Sequence, residues 1–437
     1  MLIGVKKEQE IAAQLSTGKG KGQSYWSIVR QQFRKNRMAV WALRLLYVLL
    51  FVALTGDFIA NEKPLYCKLE GETHFPVFRS YLVGVGLADW EAKFFQTPWH
   101  EHDYETAVWP PVPFSASTLD ISNANYAAPG AVREVGDYAF THWLGTDELG
   151  RDVLAGLISG TRIAMLVGIV AMAIATLIGG ILGALGGYFG DERFKLSRAR
   201  LWLNLLGLPL AYFYGFGSRS FALQEGPLFT ELLISLGIIL AIFALLNAIA
   251  NLLKRVPVLA KEARIPLDLI VMRLIEIFNS IPALLLILSI VAIIEEKSIF
   301  YIMAIIGIIR WTGIARFMRA ELLRVRSLEY IEAAQALGYS EWRTLFRHAM
   351  PNALTPVLIT VAFGIASAIL LEAFLSFLGI GVPPDEVTWG SMLNGSRSKA
   401  SAWWLAVFPG FAIFLTVTIF NLLGEGLTDA LDPRRKQ

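Results

Sequence analysis

The sequence holds a single cysteine, Cys67, in 437 residues, which excludes an internal disulfide framework and any cysteine-based metal cluster. Charge is also scarce. Asp, Glu, Lys and Arg make up 17% of the chain, against roughly 25% in an average soluble domain. A net charge of +3 describes no basic surface, so nucleic acid is not an expected partner, and so little charge excludes disorder. Catalytic patterns are missing as well. There is no G-x-x-x-x-G-K-[ST], hence no phosphate-cradling loop, and neither H-E-x-x-H nor G-x-S-x-G is present to equip a membrane enzyme. The apolar segments show no convincing repeated halves of the kind that secondary transporters use.

What is abundant is apolar. Hydrophobic residues make up 55% and aromatic residues 12%, and the mean hydropathy of +0.52 places the chain in a membrane. The first apolar run, Ala39 to Ile59, is long enough to cross roughly 30 Å of hydrocarbon and is not closed by an Ala-x-Ala cleavage pattern, so it is expected to be an uncleaved span. Further spans are expected from Ile163 to Leu185, Leu228 to Leu253, Leu267 to Ile294, Ile299 to Ala315, Leu354 to Leu378 and Trp403 to Leu423. Leu201 to Phe216 is a weaker eighth, short and interrupted by Asn204 and Pro209.

Lys and Arg beside the spans set the orientation. The tail, residues 1–38, carries Lys6, Lys7, Lys19, Lys21, Arg30, Arg34, Lys35 and Arg37 against Glu8 and Glu10, and is expected in the cytoplasm. Residues 61–142 have five basic and eleven acidic side chains, which suits the opposite side. Arg193 to Arg200, Lys254 to Arg264, Arg316 to Arg347 and the terminal Arg434, Arg435 and Lys436 then all lie inside. This closes with six or eight spans, depending on whether both or neither of Leu201–Phe216 and Leu228–Leu253 cross. The fold class is thus an all-α integral membrane protein.

Gly179, Gly183 and Gly187, four apart, line one helix face and permit close helix packing, either within the subunit or against a partner subunit. After the span ending near Ala315, Glu329 to Pro351 reads as two short helices joined at an elbow. Tyr330 to Leu337 is the first, Gly338 is the left-handed residue closing it, Ser340 caps the second, and Pro351 begins the return to the membrane. Glu372 lies deep in an apolar stretch, where a carboxylate must face protein or water; lining a pathway and a structural hydrogen bond to a neighbouring backbone are both open. Asn279 and Pro282, with Ser280, should kink or loosen their helix, as a pivot or as an ordinary membrane-helix irregularity, and with Glu372 they are the candidate pathway residues. His100 to Asp103 are placed in a solvated outer loop, and no metal site is expected. Residues 61–142 are expected to form a small aromatic-rich cap.

The spacing Glu332-Ala333-Ala334, three residues, Gly338, nine residues, then a close at Pro351 resembles the signature loop of permease subunits of bacterial ATP-binding-cassette importers. His348 and Met350 depart from that family's usual Ile and Leu. HWLGTDELGRDV, with Gly145, Thr146, Asp147, Gly150, Arg151 and Asp152, resembles the segment before the second span of the C-type permease in the oligopeptide, dipeptide and nickel branch. EAFLSFLGIG from Glu372 and NLLGEGLTDALDP from Asn421 are similar to its later parts, and ANEKPL from Ala60 to the microcin-C and peptide permease type. Residues 143–190 would hold the signature segment and second span, 191–264 an inserted hydrophobic hairpin, and 265–437 the rest of a six-span core, with the coupling loop at 316–352.

The resemblance implies a bacterial inner-membrane, multi-pass permease with both termini in the cytoplasm. It would pair with a second permease, two ATPase subunits and an extracytoplasmic solute-binding protein. Tyr330, Glu332, Ala333, Ala334, Gly338, Arg343 and Pro351 would seat in an ATPase. ATP and Mg would be bound by those partners and no cofactor by this chain. Asp147, Arg151 and Asp152 either organise a turn or contact solute or partner. Peptide-like solutes are the expected cargo; a nickel-chelate permease and a secondary transporter are the alternatives.

Overall fold

The computed structural model describes residues 25–431 apart from 92–93, 95–96, 136–137, 295–297 and 384–385. The basic tail before residue 25 and Arg434, Arg435 and Lys436 lie outside the described residues. In chain order the principal elements are α1 (Tyr25–Lys35), α2 (Arg37–Ile59), β1 (Tyr66–Leu69), β2 (Glu72–His74), α3 (Pro76–Gly84), β3 (Thr106–Val108), β4 (Ala131–Val135), β5 (Tyr138–His142) and α4 (Val153–Ala184). They continue with β6 (Lys195–Ser197), α5 (Arg198–Gly215), α6 (Leu228–Leu253), β7 (Glu262–Arg264), α7 (Leu267–Ser280), α8 (Ala283–Ile293), α9 (Ile299–Val325) and α10 (Glu329–Ala336). The last are α11 (Glu341–Thr344), α12 (Met350–Phe377), α13 (Trp389–Gly395) and α14 (Trp404–Leu431).

Six helical stretches among the described residues are long and apolar enough to cross a membrane: Arg37–Ile59, Val153–Phe189, Thr230–Leu253, Ile299–Val325, Glu341–Phe377 and Trp404–Leu431. The stretch from Leu267 to Ile294, read as one span, is broken instead. Ser280 ends α7, and Pro282, which has no N–H to continue the ladder, is the N-cap of α8. The span read as Ile299 to Ala315 runs on as helix to Val325, because Arg316 to Val325 are good helix formers that the charge count alone treats as loop.

The chain divides into two compact units. One comprises Met1–Ile178, Ile281–Ile314 and Asn352–Gln437; the other comprises Gly179–Ser280 and Ala315–Pro351. In the first, residues where side chains are small let helices approach. A Cβ on Gly307 of α9 would meet the Ala171 carbonyl of α4 at 2.8 Å, and one on Gly426 of α14 would meet Ala39 Cβ of α2 at 2.2 Å. Charges inside apolar helices are paired. Arg162 of α4 donates to the Ala53 carbonyl at 3.0 Å and to Asp57 of α2 at 2.8 Å, and Asp57 also accepts from the Tyr81 hydroxyl at 2.5 Å.

The described residues between 60 and 142 of the same unit include short strands among turns and irregular chain. β1 sits between β2 and β3 in an antiparallel sheet, and β4 pairs with β5. Cys67, Leu69, Phe94 and Tyr104 are buried with Trp90, Trp99 and Trp109 packed against them. His100, expected in a solvated loop, is buried, donates from Nε2 to the Pro113 carbonyl at 2.6 Å and packs 4.7 Å from the Phe140 ring. Burial pushes its imidazole below the ordinary value, so it serves as a neutral core residue. The alternation of polar and aromatic residues hid this, because a short strand gives a weak signal.

In the second unit, α5 and α6 form an antiparallel hairpin. Gly207 lies against Leu246 and Phe243, Gly215 lies against Ile239, and Asn247 donates to Asn204 at 3.0 Å. Their outer faces expose Leu206, Phe213, Leu240 and Leu245, as lipid-facing helices do. The chain enters the hairpin through β6 and leaves through β7, and these two strands pair antiparallel, Lys195 opposite Arg264 and Ser197 opposite Glu262. The insertion is therefore closed at its base. Replacing residues 198–261 by Asn-Gly, which suits a two-residue hairpin turn, is expected to leave a chain that expresses and melts near the parent temperature in detergent. Aggregation of the shortened chain would show that the hairpin is needed for folding.

Candidate functional site

The elbow is built by backbone chemistry. The Gly338 N–H donates to Gln335 O at 2.9 Å and the Tyr339 N–H to Ala334 O at 3.2 Å, the paired bonds of a Schellman close to α10. Gly338 has φ of +80°, and no atom lies within 4 Å of where a Cβ would stand, so the demand for glycine is conformational and not steric. Ser340 then caps α11 by accepting from the Arg343 N–H at 3.3 Å. The second short helix does not end before Pro351. It passes through a π turn, Leu345–Ala349, straight into α12, and Met350 N–H bonds back to Leu345 O. The wider turn lies directly before a proline whose ring crowds an ordinary α turn.

One face of the elbow is anchored and the other is open. Glu341 accepts from the Tyr188 hydroxyl at 2.8 Å, and Trp342 packs 5.0 Å from the Phe189 ring. Arg343 lies 4.3 Å over the Tyr339 ring. Ile331 and Ala334 are buried, whereas Glu332, Ala333 and Pro351 are exposed, Tyr330 is 41% exposed and Leu337 is 75% exposed.

The glycine ladder seats this element. Gly183 faces Ala315, where a Cβ would meet the carbonyl oxygen at 2.4 Å, and Gly187 faces Arg319, where the corresponding gap is 2.6 Å. Gly179 is buried. Arg319 makes a bidentate pair with Asp268 of α7, and Arg326 donates to Gly187 O at 3.3 Å.

The signature segment forms a polar knot in the other unit. Gly145 and Gly150 have φ of +82° and +83°, and a Cβ on Gly150 would meet Asp120 O at 2.0 Å. Thr146, fully buried, donates to Asn123 O at 2.7 Å, and its carbonyl accepts from Trp404 Nε1 at 3.0 Å. Asp147 Oδ1 accepts from the Leu149 and Arg151 N–H groups, both at 2.9 Å, while burial raises its carboxyl above the usual range. Asp152 caps α4 through the Ala155 N–H at 2.7 Å.

His142 lies between two carboxylates, Nδ1 at 2.8 Å from Asp152 and Nε2 at 3.1 Å from Asp120. Both ring nitrogens thus face carboxylate oxygens. Burial alone would raise the Asp120 carboxyl. Hydrogen bonds from Asn123, Ser122 and His142, with Arg133 nearby, overcome that and bring it down to about 2. Sequence reasoning missed Asp120 and His142 as partners; they are 22 residues apart, and no local spacing joins them.

Beside the knot, Asp147, Arg151, Ser376, Glu386 and Asn394 line a cavity of about 280 Å³. Glu372 is buried and accepts from Ser376 Oγ at 2.7 Å, a side chain one turn along and not the backbone partner that was one of its readings. Arg310, half-buried in α9 and bonded to Ser367 of α12 at 2.6 Å, was overlooked. A lone arginine inside the apolar run from Ile299 was signal enough to find it. Asn279 and Pro282 flank the break between α7 and α8.

Residues 258–437 match the family described as binding-protein-dependent transport system inner membrane component, and residues 24–75 match the N-terminal transmembrane domain of oligopeptide transport permease C. The chain is 31% identical to the glutathione transport system permease protein GsiD of Pectobacterium atrosepticum over 68% of its own length and 73% of that protein's. The chain belongs to this permease family. It is an integral membrane subunit of ATP-binding-cassette importers of the peptide branch. The permease is also 28% identical to the peptidoglycan transport system permease protein YejE of Agrobacterium fabrum, over 93% and 92% of the two lengths, and 28% identical to the inner membrane permease protein YejE of Escherichia coli, over 92% and 96%.

Two outcomes are expected of the permease. Gly338→Ala should cost about 1–2 kcal/mol locally, the penalty for an L residue in the left-handed region, and should speed amide exchange in residues 329–345 while residues 120–152 keep their protection. Asp120 has a folded pKa of about 2, below its ordinary 3.8. Its stabilising contribution is therefore complete above about pH 4 and is lost as pH falls through about 2. Exchange in residues 120–152 should rise over that window, and Asp120→Asn should flatten the dependence.

Proposed function

We propose that this permease forms half of a translocation pathway for peptides or peptide-like solutes and receives its driving motion through the elbow at Glu329–Pro351. The observation that carries the reading is the elbow itself: a glycine-closed bend, anchored by Glu341 and Trp342, that leaves Glu332, Ala333 and Leu337 open to a partner. An ATPase subunit bears on that open face. Arg343 and Tyr330 border the contact, and the helix that follows continues without a break from α11 into α12.

On this reading the partners are a second, different permease, two ATPases that bind ATP and Mg, and a binding protein that delivers solute from outside. The elbow and both termini lie in the cytoplasm, and residues 61–142 lie on the other side. The names of its relatives, which print peptidoglycan, glutathione and dipeptide transport, support a peptide-like cargo. Glu372 and Arg310, charged groups kept inside apolar helices, are the candidate pathway residues, with the break at Asn279 and Pro282 a candidate pivot.

The test is co-purification of the chain with its neighbouring permease and ATPases, repeated with Glu332→Arg and Gly338→Pro. The expected result is loss of the ATPases from both variants with the permease pair still assembled. Retention of the ATPases in both variants would move the docking surface elsewhere, and uptake by the wild-type chain in the absence of ATP would point to a secondary transporter.

A further inference from the structure

One group of side chains in the outer segment takes no part in the elbow or the knot. Glu72 and His74 are two apart on β2, so their side chains leave the same side of the strand, and Glu91 approaches them from the chain after α3. One ligand atom from each of the three lies within 4.8 Å of the other two. The His74 side chain is only 9% exposed, and its Nε2 has no hydrogen-bond partner among the described residues. That nitrogen stands 3.7 Å from Glu72 Oε2, beyond a good hydrogen bond. The edge-on ring of Phe94, 5.2 Å away, covers the imidazole.

A buried ring nitrogen left without a partner is costly, and the imidazole has one carboxylate oxygen from each of Glu72 and Glu91 within 4.8 Å of a ring nitrogen. We propose that Glu72, His74 and Glu91 bind a divalent zinc ion. Zinc bonds to imidazole nitrogen and carboxylate oxygen are about 2.0–2.2 Å, so ligand atoms around a tetrahedral ion stand roughly 3.3 Å apart. Ligand atoms up to 4.8 Å apart reach that spacing by a closure of at most about 1.5 Å. Glu72 and Glu91 can supply it by rotamer changes, since their side chains are 69% and 39% exposed, and the ion enters from that solvent side. Three protein ligands leave a fourth position for water. The imidazole favours zinc over calcium and magnesium, which prefer oxygen alone.

Arg79 donates to Glu91 at 2.6 Å, a bond that the Glu91 rotamer change gives up, and its charge opposes the cation. The affinity is accordingly lower than that of a site with no cation beside it. The consequence of binding is structural: the ion ties the free end of β2 to the segment after α3 and stiffens the outer layer, whatever solute the importer carries. Spacing alone does not reveal the site, because Glu72 and His74 look like ordinary strand polar residues and Glu91 is 17 positions beyond His74.

Titration of the purified full-length chain in detergent with zinc chloride, after chelator treatment and dialysis, tests the proposal by calorimetry. The expected result is one zinc per chain. His74→Gln and Glu91→Gln should each weaken binding at least tenfold, and His102→Gln, in the neighbouring His100–Asp103 stretch, should leave it unchanged. Cobalt in place of zinc should give visible absorption that His74→Gln abolishes. Glu72→Gln, at an exposed position, carries the same expectation should His74→Gln fail to fold. Absence of zinc binding at millimolar concentration, or binding that survives both His74→Gln and Glu91→Gln, overturns the proposal.

Discussion

Two missing side chains, at Gly183 and Gly187, set the geometry on which the elbow depends. Without a Cβ at either position, the end of α4 lies on the backbone of α9 at Ala315 and Arg319. Apolar helices in lipid gain little from excluding water, so contact of this kind, through dispersion and close backbone approach, is what holds them. The consequence passes along the chain. Gly187 is followed at once by Tyr188 and Phe189, and these two residues anchor Glu341 and Trp342 of the elbow. A bulky residue at 183 or 187 would therefore act on the elbow without touching it.

The polar groups of the permease follow a second constraint, that charge inside apolar surroundings must be met locally. Asp57 and Arg162 meet each other, Arg310 meets Ser367, Glu372 meets Ser376, and Asp268 meets Arg319. The knot around His142 is the densest case, with two carboxylates, an imidazole and several hydroxyl and amide donors in one buried place. Its members come from the turn before α4, the strand β5 and the loop at Asp120. The Gly-Thr-Asp string thus has a mechanical reading here: the glycines allow close approach and the aspartates close turns and cap a helix.

Long-period features were legible in the sequence and long-range pairings were not. Helical spans announce themselves by length and apolar content, and the elbow by a glycine and a serine in the right order, because those signals are local. The break at Pro282 was visible for the same reason. The continuation of α9 to Val325 was missed because charged helix formers read equally well as loop. The outer sheet was missed because its strands are three to five residues long and its core is drawn from Trp90 to Trp109 and Cys67, far apart in sequence. The His142 knot depended on a partner 22 positions away, and no spacing rule reaches that far.

Cys67 sits in β1 with none of its surface exposed, opposite His74 on one side and Ala107 on the other. It is also the only thiol in the chain. The permease is in effect already a single-site scaffold for labelling chemistry. A cysteine introduced at Leu337 or at the tip of the α5–α6 hairpin would be the one reactive thiol facing a spin label, a fluorophore or a crosslinker, with no background cysteine to remove and no disturbance of the outer sheet.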